Sequence, residues 1–207
     1  MNALNAPLRP DLRVTADWVE PNSRVLDIGC GEGELLHWLV QYKHVDARGI
    51  ELGQESVADC IAKGLSVIQG DANADLIYYP TDAFDYVVMG QTLQRMQHPD
   101  KTLKEMARIG KRVIVSVPNF AYWPNRLYLL LKGRMPVTNT LSYEWYETPN
   151  IHFCSLGDFV RLCDSLNIAI EKRLYITNQG KVGAFSGQNY LANLFGEQGV
   201  FLLRDGG

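Results

Sequence analysis

Arg24-Val-Leu-Asp-Ile-Gly-Cys-Gly-Glu-Gly33 is the stretch whose residue types and spacing best suit holding a ligand. An apolar run carries an acid, Asp27, and three glycines follow at alternate positions, Gly29, Gly31 and Gly33, with Glu32 and Glu34 at the opening of a helical stretch. Glycines here let the backbone turn sharply and approach a ligand without Cβ clashes. Glu51 lies twenty-four residues after Asp27 and closes the apolar-leaning run Asp46–Ile50. An acid in that place suits the two hydroxyls of a ribose.

The spacing narrows the ligand. A dinucleotide fingerprint wants Gly-x-Gly-x-x-Gly, but here the third glycine comes one position early and Glu34 fills its slot. Glu32 and Glu34 put negative charge where a helix N-terminus would otherwise welcome a pyrophosphate, and the loop has no Arg or Lys. A nicotinamide enzyme is therefore disfavoured. The residues suit a ligand with a ribose, no phosphate and positive charge, and S-adenosylmethionine (SAM) has that chemistry. The N–H groups of the glycine turn would face its carboxylate, and Asp27 would balance its cationic end.

Two further runs point to the same edge of a sheet. Val67-Ile-Gln-Gly-Asp-Ala72 is a short apolar run ending in Gly-Asp, and Phe84-Asp-Tyr-Val-Val-Met-Gly-Gln91 ends in a small residue and an amide. Asp71 would accept from an adenine amino group, and Gln91 sits where a floor residue is expected. Polar or small residues at successive strand ends fit the rule that open α/β sheets bind ligands at the carboxyl ends of parallel strands.

The elements that must position these residues follow from periodicity. Strands are expected at Val25–Ile28, Ala47–Ile50, Val67–Gln69, Tyr86–Met89 and Arg112–Val117, and helices at Arg9–Glu20, Glu34–Tyr42, Gln54–Lys63 and Pro99–Ile109. Their alternation implies βαβ units and a parallel sheet with helices on both faces. Residues 120–152 break this rhythm, with six Tyr and Trp residues among three prolines. They read as a helix over Trp123–Lys132 and a long loop, an aromatic insertion or lid. A helix from Ser155 to about Leu166, then strands at Ile168–Tyr175 and Asn193–Leu203, would close the sheet as an antiparallel hairpin. Residues 1–8 read as a loose tail, and 1–207 as a single domain.

Composition removes several classes. With 20 basic and 23 acidic residues the net charge is −3, so there is no basic excess to hold a nucleic acid. No apolar run approaches a membrane span, and the first residues lack the pattern of a signal peptide. The four cysteines, Cys30, Cys60, Cys154 and Cys163, show neither Cys-x-x-Cys nor zinc-finger spacing, so a reduced cytoplasmic protein without a metal is expected. Cys30 reads as present for its size, and Cys154 and Cys163 as small buried apolar residues.

Methyl transfer from a sulfonium is an in-line displacement of an activated group, so positioning supplies much of the rate, although a nitrogen or oxygen acceptor often needs a base. His98 and His152 are the histidines to weigh for that role. Each also has a plain reading, His98 as a surface residue ahead of a helix and His152 as a loop histidine bonded to backbone. Tyr143-Glu-Trp-Tyr146 fits a lid over a sulfonium, a surface offered to a partner protein, or core packing under a long loop.

Three stretches are more specific than the glycine turn. Ser116-Val-Pro-Asn-Phe120, Gly133-Arg-Met-Pro-Val-Thr138 with Tyr143-Glu-Trp-Tyr-Glu-Thr-Pro-Asn-Ile-His152, and Asn193-Leu-Phe-Gly-Glu-Gln-Gly-Val-Phe-Leu-Leu203 resemble the methionine biosynthesis protein MetW family, within the class I SAM-dependent methyltransferase superfamily. The likeness runs from about Arg9 to Arg204, with Ser142 standing where the family usually has Pro. It implies a Rossmann-like sandwich, mostly parallel with a C-terminal antiparallel strand. It also implies a place in bacterial methionine biosynthesis beside a homoserine O-acyltransferase of the α/β-hydrolase type, with SAM or S-adenosylhomocysteine (SAH) as cofactor. The superfamily's cofactor positions fall on Asp27, Gly29, Gly31, Gly33, Glu51, Asp71 and Gln91, and their neighbours Cys30, Leu52 and Ala72 complete the expected binding set. An accessory subunit of the acyltransferase is the leading expectation, and a small-molecule methyltransferase the alternative.

Overall fold

In the computed structural model, which describes residues 8–138, 141–187 and 190–206, eight strands form one sheet in the order β3-β2-β1-β4-β5-β8-β6-β7. The parallel part comprises β1 (Arg24–Ile28), β2 (Asp46–Glu51), β3 (Ser66–Gln69), β4 (Phe84–Gly90) and β5 (Gly110–Pro118). The antiparallel part comprises β6 (Ile168–Ile176), β7 (Val182–Ala184) and β8 (Gln198–Asp205). The helices are α1 (Pro10–Trp18), α2 (Glu34–Lys43), α3 (Gln54–Ala62), α4 (Ala72–Asp75), α5 (Pro99–Ile109), α6 (Trp123–Lys132), α7 (Leu156–Ser165) and α8 (Tyr190–Phe195).

Strand residues alternate between two cores, as the pleat requires. Val25, Tyr86, Val88 and Ile114 meet α1, α2 and α3 through Leu12, Ala16, Leu35, Leu39 and Cys60. Leu26, Val87, Met89, Val113 and Val115 meet α5 and α7 through Leu103, Met106, Phe159 and Cys163. Because both faces are covered, four of the five residues of β1 are buried in an unbroken run, as in parallel sheets generally. The Rossmann-like class I methyltransferase sandwich expected from the sequence is the fold observed.

One local reading needs correction. Asn193–Phe195 is not strand but the end of α8: the Gly196 N–H closes that helix on the Ala192 carbonyl, and the Asn119 amide donates to the Asn193 and Gly196 carbonyls. A short apolar run alone does not separate helix from strand. The closing strand therefore begins at Gln198 and lies between β5 and β6, antiparallel to both as the expected hairpin requires. The short strand β7 and helix α4 were not anticipated. The expected tail falls on residues 1–7, outside the described residues, except for Leu8, which is half-buried against the core under α1.

Candidate ligand site

The parallel strands reverse their order between β1 and β4, and a crevice opens there. Its cavity measures about 1490 Å³ and runs past the carboxyl ends of β3, β2, β1 and β4. All ten residues of the expected binding set line it: Asp27, Gly29, Cys30, Gly31, Gly33, Glu51, Leu52, Asp71, Ala72 and Gln91.

The glycine turn is built as its spacing demands, with φ of 71°, 55° and 75° at Gly29, Gly31 and Gly33. The three have different surroundings. A Cβ on Gly33 would collide with Leu65 and Cys60, so that position is closed by helix packing. A Cβ on Gly31 would meet nothing within 4 Å, so the backbone there borders open cavity. The Glu51 carboxylate clamps this turn. One oxygen accepts the Gly31 N–H at 2.8 Å and the other accepts the Gly53 N–H at 3.0 Å.

Asp27 is only 4 % exposed, and burial pushes its carboxyl up to about 7, with Arg9 opposing the shift and Glu51 adding to it. It is a buried acid poised to ionise beside a cation. At the far end, Asp71 caps α4: its Oδ1 accepts the Asn73 N–H at 2.9 Å and the Asn73 amide at 2.8 Å. Gln91 adopts a left-handed φ of 51°. Its N–H reaches the Ser116 hydroxyl at 3.0 Å, and its side-chain amide donates to Gln198 on β8.

The sulfurs behave as apolar filler. Cys30 packs where a Cβ on Gly49 would come within 2.7 Å of it, and burial raises its pKa. Burial likewise raises Cys154 to about 11 and Cys163 to about 12. All four cysteines are free. Among the described residues no group of three His, Cys, Asp or Glu is placed to hold a metal ion, and no helix is long and apolar enough to cross a membrane.

Neither histidine weighed as a base reaches the cavity wall. His98 is exposed at the N-cap of α5, and exposed His152 is tied only by its backbone N–H to the Gln94 carbonyl at 3.0 Å. The aromatic insertion does reach it, through Ser142, Tyr143, Pro149 and Asn150, while Trp145 and Tyr146 stand 69 % and 65 % exposed. Core packing is thereby excluded for that pair. The sequence reading missed the wall supplied by α1 and α2, where Arg9, Leu12, Arg13, His37 and Trp38 face the cavity. The one available signal was the helical period that places Arg9, Leu12 and Arg13 on one side.

The chain is similar to several known proteins. A bifunctional methionine biosynthesis protein MetXA/MetW from Rhodopirellula baltica is 34 % identical over 167 residues, covering 76 % of this chain and 27 % of its own length. Ajmaline N-methyltransferase from Rauvolfia serpentina is 34 % identical over 160 residues, covering 72 % of this chain and 53 % of its own. The chain thus spans about a quarter and about half of these two relatives. The crystal structure of an S-adenosylmethionine-dependent methyltransferase from Mesorhizobium loti superposes with a TM-score of 0.67 at 15 % identity, covering 94 % of this chain and 96 % of that one, and so shares the fold. The family profile described as methionine biosynthesis protein MetW matches residues 9–203. With this match over nearly the whole sequence, the chain belongs to the methionine biosynthesis protein MetW family.

Proposed function

We propose that this chain binds SAM or SAH in the crevice and acts as an accessory, regulatory partner of a homoserine O-acyltransferase of the α/β-hydrolase type. The observation that carries the ligand assignment is the pairing of Glu51 with the open side of Gly31: a carboxylate at the end of β2 beside a cradle that a Cβ would fill. On this reading Glu51 takes the ribose hydroxyls and Asp71 the adenine amino group. Asp27 faces the cationic end, Gln91 forms the floor, and Gly29, Cys30, Gly33, Leu52 and Ala72 shape the walls.

The partner assignment is supported by the Rhodopirellula relative, whose name joins MetXA and MetW in one protein. It is also supported by an apolar face on α6, where Leu130 and Leu131 are 80 % and 69 % exposed, close in sequence to the exposed Trp145 and Tyr146. Patches of this kind mark interaction sites, and Trp and Tyr dominate interface energetics. The described residues then serve a single ligand-binding domain with 120–152 as its lid. SAM lies downstream of methionine, so occupancy would bias the partner through differential affinity for its two states. The test is acyl transfer by the homoserine O-acyltransferase of the same cell, with and without this chain and with SAM added. A rate that depends on this chain supports the reading, and an unchanged rate refutes it.

A small-molecule methyltransferase is the second reading. The observation favouring it is cavity size, since about 300–1,000 Å³ suffices for one ligand and this crevice is larger. Transfer of a labelled methyl group to extracted metabolites would decide for it.

A further inference from the structure

In the structure the three glycine N–H groups expected to receive the ligand's carboxylate are already engaged. The Gly29 N–H donates to the Ile50 carbonyl at 2.8 Å, that of Gly31 to Glu51 at 2.8 Å, and that of Gly33 to the Cys30 carbonyl at 3.0 Å. A carboxylate placed against the turn would find none of these three donors free, and an unpaired carboxylate in a crevice is costly.

The strand order says where that carboxylate falls. With the ribose at the end of β2 and adenine beside the end of β3, the amino-acid end extends the other way, over the ends of β1 and β4. Arg95 and Arg9 both line the cavity on that side, and the one that the fold holds in place is Arg9. Its guanidinium lies within 3.9 Å of the Cβ position of Gly90, at the end of β4, and 3.3 Å from the carboxylate of Asp11. Asp11 is itself buried and fixed, because its Oδ2 accepts the Ser116 hydroxyl at 2.9 Å, and the Ser116 oxygen accepts the Gln91 N–H. Arg9 is therefore held in place from behind. A guanidinium carries five N–H donors in a rigid fork, and more than half of this side chain remains exposed. Of the other cavity cations, Arg13 turns towards Asp17 and the Trp38 ring and Lys63 to the Glu32 carbonyl at 2.7 Å, while exposed Arg95, on the short turn after β4, is tied to no carboxylate among the described residues and so lacks the buttress that Asp11 gives Arg9.

We propose that Arg9, at the head of α1, is the anchor for the carboxylate of the ligand's amino-acid end, with Asp27 taking the adjacent ammonium. The assignment rests on the SAM reading above and adds to it a residue outside the glycine turn. It makes α1 part of the binding site, so ligands are sorted by whether they carry an amino-acid end.

The test is calorimetry of the full chain with two probes, SAH and 5′-methylthioadenosine, which keeps the nucleoside and lacks the amino acid. In Arg9→Gln, affinity for SAH should fall about ten- to a hundredfold, the range of a lost charge-assisted hydrogen bond, while affinity for methylthioadenosine stays within about twofold. Arg9→Lys keeps the charge and the pairing with Asp11 but not the fork, and should fall in between. If both variants bind SAH as the wild type does, or lose both probes in equal measure, Arg9 is not the anchor. If the wild type binds neither probe, the SAM reading falls and this inference with it.

Discussion

Glu51 reaches across from the end of β2 and accepts the N–H of Gly31 at 2.8 Å, so the acid assigned to the ribose also holds the glycine turn in shape. Glu51→Ala should weaken SAH binding by about 1–3 kcal/mol, the usual loss for a hydrogen bond to a charged group. Glu51→Gln keeps one acceptor and should retain part of that affinity. Calorimetry on both variants checks it, and unchanged binding in both would show that the ligand lies elsewhere.

Gly31 and Gly33 separate binding from stability. Gly31→Val places a branched side chain on the open side of the turn, where the cavity begins, and should abolish measurable ligand binding. It also forces a β-branched residue to a φ of 55°, which costs about 1–3 kcal/mol. Gly33→Ala drives a methyl into Leu65 and Cys60 and should lower the melting temperature more than Gly31→Val does. The two variants, followed by thermal unfolding and by calorimetry, should therefore rank in opposite orders.

Asp27 gives the stability a definite pH slope. Its carboxyl titrates near 7 when folded and in the usual carboxylate range, about 4, when unfolded. Between those values the folded state holds a proton that the unfolded chain has lost. This group's contribution to stability therefore declines as pH rises from about 4 to about 7, and levels off above. Asp27→Asn should flatten that part of the profile and melt higher than the wild type at pH 8. A cationic ligand favours the ionised form, so wild-type affinity should rise through neutral pH with proton release, and Asp27→Asn should show neither. Melting curves across pH, with calorimetry in buffers of different ionisation enthalpy, check both.

The exposed face of α6 offers a test of the partner reading. Leu130→Asp and Trp145→Ala change side chains that are 80 % and 69 % exposed, so each should move stability by no more than about 0.5 kcal/mol. Each should nevertheless weaken association with the homoserine O-acyltransferase by about 1 kcal/mol or more, as measured by titration of one protein into the other. An intact complex in both variants would place the interface elsewhere.

Much of this architecture is legible in local patterns. The strands of the parallel sheet are apolar runs bounded by polar residues, and α5 and α6 begin and end where Pro99, Pro124 and Gly133 dictate. The glycine turn is legible because alternate glycines have few other uses. What escaped depends on pairings across the fold. Arg9 faces the crevice because Asp11 is bound to Ser116, 105 positions away. The occupation of the glycine N–H groups depends on the Ile50 carbonyl and on Glu51, which lie on another strand. His98 looked suited to chemistry only because it follows β4; the short helical turn over Leu93–Arg95 carries it out of reach.

The side-chain bond from Gln91 to Gln198 joins the crevice floor to the first residue of β8. As the chain leaves the ribosome, the glycine turn and all four strand ends around the crevice emerge more than a hundred residues before Gln198. Contacts so distant in sequence form late. A nascent chain that stops short of Gln198 thus carries every glycine of the turn yet lacks a residue of the crevice wall.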